Sequence, residues 1–360
     1  MTRWGIIGPP DDPQVSNVAA ALRERGAEPV VLDLTAFPAR SRLSLLDGVP
    51  SVPGVDVGAV RAWYLRSMPL PLPFALPLGQ TERHDRDGRL ARGDRQGRDE
   101  QSGRGGTVPE ELAREQRSAY AGGRERRSFT FAFVTALRCG GAALVNPPGT
   151  LGQHFLKLEQ LRRLRGAAVP VPRTLATNDP DAVVAFARAA GPIVYKPLAG
   201  GALCRRVTPQ DLRPERLRLL ATAPVLFQEE VPGRNLRVYV VGGEVAASYE
   251  IVSEELDYRG AERAVFPVAP SPDETDACLR AARACGLTFT GIDVRRRDDG
   301  TFAVLECNPS PMFAAIERRT ATAGVTRALA ALLRRAADGD GHRGPDSRGD
   351  GDRREAAVGT

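Results

Sequence analysis

Two acids and an amide, Asp293, Glu306 and Asn308, have the types and spacing to hold a divalent cation. They lie in GIDVRRRDDGTFAVLECNP, which reads as two strands joined by a tight turn. Asp299-Gly300 is a strong signal for a two-residue type I′ turn. That turn predicts Asp298 opposite Thr301 and, counting back along both strands, Asp293 opposite Glu306. Directly opposed residues hold their Cβ atoms roughly 4.5–5.5 Å apart. Asn308, two residues on from Glu306, projects to the same face. Like charges so placed destabilise a sheet unless a cation sits between them. Oxygen ligands without His or Cys suit Mg²⁺, which uses few carboxylates and completes its shell with phosphates. Two plainer readings compete: solvated acids paired with Arg295 and Arg297, and a one-residue bulge that breaks the register.

A phosphate partner is suggested by the lysines. Of 50 basic residues only two are lysine, Lys157 and Lys196, so an ammonium here is not an arbitrary surface charge. An ammonium is a compact point charge and a guanidinium a planar fork, and the two are not equivalent at a phosphate. In VYKPLAGGA a buried strand delivers Lys196 to a loop with Gly200-Gly201, where backbone N–H groups can approach phosphate closely. It is not GxxxxGK[ST], which excludes a P-loop NTPase. In VLFQEEVPG a strand exits into a hinge that could offer adenine a backbone N–H and a carbonyl, at Glu229 and Val231. Arg237 then opens a strand from which it could reach phosphates, or could simply be another surface arginine.

Several elements must position these groups. Trp4–Ile7, an amphipathic helix from Val15 to Arg25 and a strand from Pro29 to Leu34 predict an open α/β sheet at the N-terminus. Its first turn, GIIGPPDD, lacks GxGxxG, and its prolines remove N–H groups a pyrophosphate needs, which argues against a dinucleotide oxidoreductase. Residues 80–127 are rich in Arg, Asp, Glu and Gly and poor in branched aliphatics, so a disordered insertion is expected there. The tail, 338–360, reads the same way. Between them, helices are expected from Phe155 to Arg165 and through Ala190, with strands at Ile193–Lys196, Val225–Glu229, Leu236–Val241 and Glu244–Ile251. Ser271-Pro272-Asp273-Glu274 is a capping box with proline at the first helical position. Strands and helices alternate without a long parallel run, so α+β is the expected class for this half.

Composition narrows the rest. The net charge of +6 invites nucleic acid, but much of the excess sits in the insertion and tail, and aromatics are 6%, too sparse for base-stacking platforms. Five scattered cysteines without a CxxC pair favour free thiols in a reducing cytoplasm. No stretch approaches the length of a membrane span, and the N-terminus lacks a signal-peptide pattern. Homo-oligomerisation is left open.

Taken in order, Lys157, K-P-x-x-G-G at Lys196, Q-E-E-V-P-G, N-L-R-V-Y-V-V-G-G-E-V, G-I-D-V and E-C-N-P-S-P resemble the ATP-grasp superfamily, most nearly its RimK-like glutamate ligases. The likeness runs over residues 146–333. It implies two α+β subdomains clasping ATP, 149–225 and 226–337, after a small open α/β domain formed by 1–79 and 128–148. By the same resemblance Lys157, Lys196, Gly200 and Gly201 meet the ATP phosphates, and Gln228, Glu229, Glu230, Val231 and Asn235 line the nucleotide pocket. Asp293, Glu306 and Asn308 hold two Mg²⁺ ions, for which Mn²⁺ can substitute. Arg237, Lys196 and Arg259 face the transferred phosphoryl group and the acyl intermediate. The implied reaction joins a carboxylate to an amine through an acyl-phosphate, adding an amino acid such as glutamate to a peptide, protein or small molecule, or closing a ring in a peptide. Three departures stand out: Asn235 where the family often has an acid, Glu250 near a family arginine, and the insertion after Gly79. A nucleotide-binding module without catalysis is the remaining alternative, and the intact metal ligands argue against it.

Overall fold

The structure, a computed structural model, describes residues 4–26, 28–69, 110–198, 203–258 and 260–339. The N-terminal part is a parallel sheet. β1 (Trp4–Ile7) leads through α1 (Pro13–Arg23) to β2 (Val30–Leu32), then a short hairpin of β3 (Ser44–Leu46) and β4 (Val49–Ser51) leads to β5 (Ala62–Leu65). α2 (Glu110–Cys139) and β6 (Ala143–Val145) follow, and the strands lie in the order β2-β1-β5-β6. Asp12 starts α1 by accepting from the backbone N–H of Gln14 at 2.7 Å, with Pro13 at the first helical position.

α2 corrects the expected boundary of the insertion, because residues 110–127 are helical. Their composition, rich in Glu, Arg and Ala, supports a helix even where it offers little to bury. The C-terminal half of α2 then anchors it by burying Phe133, Val134 and Leu137 against Trp63 and Leu65. Residues 80–109 of the expected insertion and 340–360 of the expected tail lie outside the described residues.

α3 (Lys157–Gly166) comes next, after a 3₁₀ stretch rather than as one helix from Phe155. A small antiparallel sheet then has the order β7-β10-β8-β9, from β7 (Thr174–Thr177), α4 (Pro180–Ala190), β8 (Ile193–Lys196), β9 (Arg205–Arg206), α5 (Pro214–Leu217) and β10 (Val225–Glu229). A larger antiparallel sheet has the order β13-β12-β11-β14-β15. It is built from β11 (Arg234–Val241), β12 (Glu244–Val252), β13 (Ala264–Pro267), α6 (Pro272–Ala284), β14 (Phe289–Arg296) and β15 (Phe302–Asn308). α7 (Ala314–Thr320) and α8 (Gly324–Asp338) close the described chain, and no described helix is long and apolar enough to cross a membrane.

Strand alternation assigns the two faces of the large sheet. Leu236, Val238 and Val240 of β11 pack with Ala277, Ala281 and Ala282 of α6, whereas Tyr239 and Val241 pack with Val325, Leu329 and Leu333 of α8. The same α8 cluster includes Ile6, Val18, Leu22 and Tyr64, so the N-terminal sheet and the large sheet share one core. Arg237 lies on the α8 side, and β15 ends at the edge of that face. That edge is held by α3: the Gln160 amide donates to Cys307 O at 2.8 Å and accepts from Cys307 N at 2.9 Å. Pro170 O accepts from Val304 N at 2.8 Å, so both ends of the strand are paired on their outer side.

Gln160→Leu leaves both buried backbone groups of Cys307 without partners. The expected cost is about 2 kcal/mol or more, read as a lower denaturant midpoint. An unchanged midpoint shows that the amide is not what secures the strand.

Candidate active site

Three neighbouring strands bring a row of charges together. Arg237 on β11 stands opposite Asp293 on β14, and Asp293 stands opposite Glu306 on β15. The pairing is the expected one, reached by a different path. The turn is a three-residue loop closed by Arg297 and Thr301, with Gly300 at φ 84°, rather than a two-residue turn. That shifts the register by one, and a bulge at Leu305 shifts it back before Glu306.

Asp293 accepts from Arg237 Nη1 and from the Tyr258 hydroxyl, both at 2.8 Å on Oδ1, and from Asn308 Nδ2 at 3.2 Å on Oδ2. Glu306 has Lys157 Nζ at 3.8 Å and His154 Nδ1 at 3.5 Å. Lys157 opens α3, where a cation opposes the helix dipole, and the acid beside it offsets that. Two like charges face each other, with a cation on each flank. Burial pushes the Asp293 carboxyl up, Arg237 pulls it down and Glu306 pushes it up again, leaving it raised. Burial also pushes Glu306 up, but the His154 hydrogen bond and the Lys157 charge outweigh it and hold the carboxyl at about 2.

These groups line a cavity of about 550 Å³, which also takes in Lys196, Gln228, Glu229, Glu230, Val231 and Asn235. Gly200, Gly201 and Arg259 lie outside the described residues. Burial, and then the Lys157 charge, lower the pKa of Lys196. A buried ammonium facing a second one makes a site for a polyanion. At the hinge the Glu229 N–H donates to Arg173 O and the Glu230 N–H to Pro192 O, so a backbone donor to a base has to come from Val231. The Glu230 carboxylate lies 2.9 Å from Arg206, and the Gln228 amide donates to Thr174 at 3.0 Å. Asn235 accepts from Arg295 Nη1 at 2.7 Å and donates to Ile251 O at 3.3 Å.

Among the further residues that line the cavity without having been singled out for it are His154, Tyr258, Arg66 and Arg295. His154 carries a readable signal, being one of three histidines and three residues before Lys157. Tyr258 sits in a loop with no motif, and the two arginines are hidden by the abundance of their type.

A family model described as a RimK-like ATP-grasp domain matches residues 157–332. The chain is also 33% identical to PsnB, an ATP-grasp ligase solved with its minimal precursor, over 93% of this chain and 99% of that one, with a TM-score of 0.75. The chain belongs to the ATP-grasp ligases. Its two antiparallel sheets are accordingly those of the ATP-grasp fold. The tetrahydromethanopterin:alpha-L-glutamate ligase of Methanosarcina acetivorans is 30% identical over 202 residues, and the aligned part spans 49% of this chain and 61% of that relative. The macrocyclase MdnC of Microcystis aeruginosa MRC, solved with its precursor peptide MdnA, is 20% identical with a TM-score of 0.69 and shares the fold.

The donor set at the end of β15 fits Mg²⁺. Asp293 and Glu306 are directly opposed, and turning the Asn308 amide over would present its oxygen beside them. No group of three or more His, Cys, Asp or Glu among the described residues could hold a metal. A site this short of protein ligands suits an ion that draws the rest from phosphate and water.

A bound polyphosphate brings negative charge that opposes the burial and the Lys157 charge lowering Lys196, so nucleotide binding is expected to take up a proton at any pH where part of Lys196 is neutral. Calorimetry of ADP·Mg²⁺ in buffers of different ionisation heat measures it, and Lys196→Met should abolish it. Uptake that survives in that variant belongs to another group.

Proposed function

We propose that the chain is an ADP-forming ligase that activates a carboxylate of a peptide with ATP and joins it to an amine. The observation that carries this is the Arg237 guanidinium. Its Nη1 is held by Asp293, while its Nε is buried with no partner among the described residues. A buried guanidinium whose donors are not all used is suited to meet an anion bound in the cavity it lines. It stands in the same cavity as both lysines of the sequence.

Lys157 and Lys196 neutralise the phosphates, and Asp293, Glu306 and Asn308 hold the metal, read as two Mg²⁺ ions that Mn²⁺ can replace. The metal supplies positive charge at phosphate oxygens. The hinge from Glu229 to Val231 receives the adenine. The substrate carboxylate attacks the γ-phosphorus and ADP departs. Arg237 meets the charge on the transferred phosphoryl group, a contribution that works because the guanidinium is already oriented by Asp293. The amine nitrogen then attacks the carbonyl carbon, the acyl C–O bond breaks with its oxygen and electron pair leaving on phosphate, and the nitrogen gives up a proton to phosphate or water. Positioning and fixed charge do the work, with no covalent enzyme intermediate.

Two amines are in view. The glutamate ligases match about half of this chain, and they support glutamate as the amine. PsnB, solved with a precursor, matches nearly the whole chain including the N-terminal sheet, and this favours a peptide as the carboxylate, with ring closure as the second reading. Mass spectrometry separates the two: a gained glutamyl residue against the loss of one water. Five cysteines, none of them in a disulfide, support a reducing cytoplasm as the setting.

Lys196→Ala and Glu306→Ala are each expected to cut ADP release by about a hundredfold or more, with the melting transition retained. Release near the wild-type rate in either folded variant removes this cavity from the reaction.

A further inference from the structure

Arg66, at the end of β5, is the arginine that the N-terminal sheet contributes to the cavity, and the reaction described above makes no use of it. Its side chain is held on two sides. Nε donates to Asp12 Oδ2 at 2.9 Å, and Nη1 donates to the Ser310 carbonyl at 3.1 Å and to Ser310 Oγ at 2.6 Å. Ser310 Oγ donates in turn to Arg66 O. Asp12 cannot drift, because its other oxygen caps α1 through the Gln14 N–H. The GIIGPPDD turn thus fixes this guanidinium rather than a pyrophosphate.

What is left of the fork is Nη2. The side chain is 13% exposed and lines the cavity, so a ligand bound there can reach the guanidinium. Ser310 lies two residues beyond Asn308, which places Arg66 next to the metal-binding end of β15. Of the other cations lining the cavity, Arg237 is assigned above to the transferred phosphoryl group and Lys157 and Lys196 to the phosphates. A carboxylate that attacks a phosphoryl group must approach it against negative charge and needs a cation of its own. A guanidinium locked at Nε and Nη1 offers one that is oriented before the substrate arrives.

We propose that Arg66 docks the carboxylate to be activated, an acidic side chain of the peptide substrate, with Asp12 and Ser310 as the residues that position it. This rests on the ligase reading and adds to it the residue that selects acid over amide.

The full chain is assayed for ADP release with ATP, Mg²⁺, hydroxylamine as the amine, and a panel of short acetylated peptides each bearing one Asp or Glu. The matching Asn or Gln peptides are added as competitors. In Arg66→Gln the KM for the acidic peptide should rise about tenfold or more, with the KM for ATP unchanged and the Ki of the amide peptide unchanged. Arg66→Lys should recover part of the loss. A merely structural role moves the acid KM and the amide Ki together, and that result, or an unchanged acid KM, overturns the proposal. If Arg66→Gln no longer binds ADP·Mg²⁺, Ser310→Ala, which loosens the same guanidinium, must show the selective rise or the proposal fails. ADP release from no peptide with the wild-type chain is a different outcome: the ligase reading itself falls, and the docking role falls with it.

Discussion

Two carboxylates held face to face on adjacent strands are the constraint around which this molecule is arranged. A sheet does not tolerate such a pair unaided. Here Arg237 meets Asp293 from one side and Lys157 meets Glu306 from the other, so the row alternates cation, anion, anion, cation across β11, β14, β15 and the start of α3. The outer cations answer the outward faces of the acids. The space between them is where a divalent ion would stabilise both at once. Burial leaves Asp293 raised, while the His154 hydrogen bond and the Lys157 charge hold Glu306 low.

The surrounding elements act on that row. The Gln160 amide and Pro170 O hold the exposed side of β15, so the strand carrying Glu306 and Asn308 cannot fray. α8 packs the same face of the large sheet, beyond the row, against the N-terminal sheet in one shared core, which brings Arg66 and Asp12 within reach of Ser310. The small sheet supplies Lys196 and the hinge from above. The cavity is therefore assembled from three sheets, and its charges come from all of them.

Much of this could be read from the residues, for physical reasons that differ by element. The capping box at Ser271 and the strand ending in Lys196 are local signals and appear where expected. Asp293 does face Glu306, but the turn chemistry suggested a two-residue loop, and only a compensating bulge at Leu305 makes the pair meet. A bulge answers to packing across the sheet and leaves little trace in one strand's sequence. The start of α2 was missed because an Arg- and Glu-rich segment looks unable to bury itself, although its anchoring apolar turns lie further on. Lys157 and Lys196 stood out because lysine is rare here. Arg66, Arg295 and Tyr258 had no such contrast, and their roles depend on partners distant in sequence.

The most direct test is a crystal of the chain grown with Mn²⁺ and a non-hydrolysable ATP analogue, with the metal located by anomalous scattering. The account predicts manganese bound by Asp293 and Glu306, the Asn308 oxygen turned toward it and the phosphates reaching Lys196. Nucleotide bound with no manganese between those acids, and Asp293 and Glu306 still engaged only by Arg237 and Lys157, would contradict it.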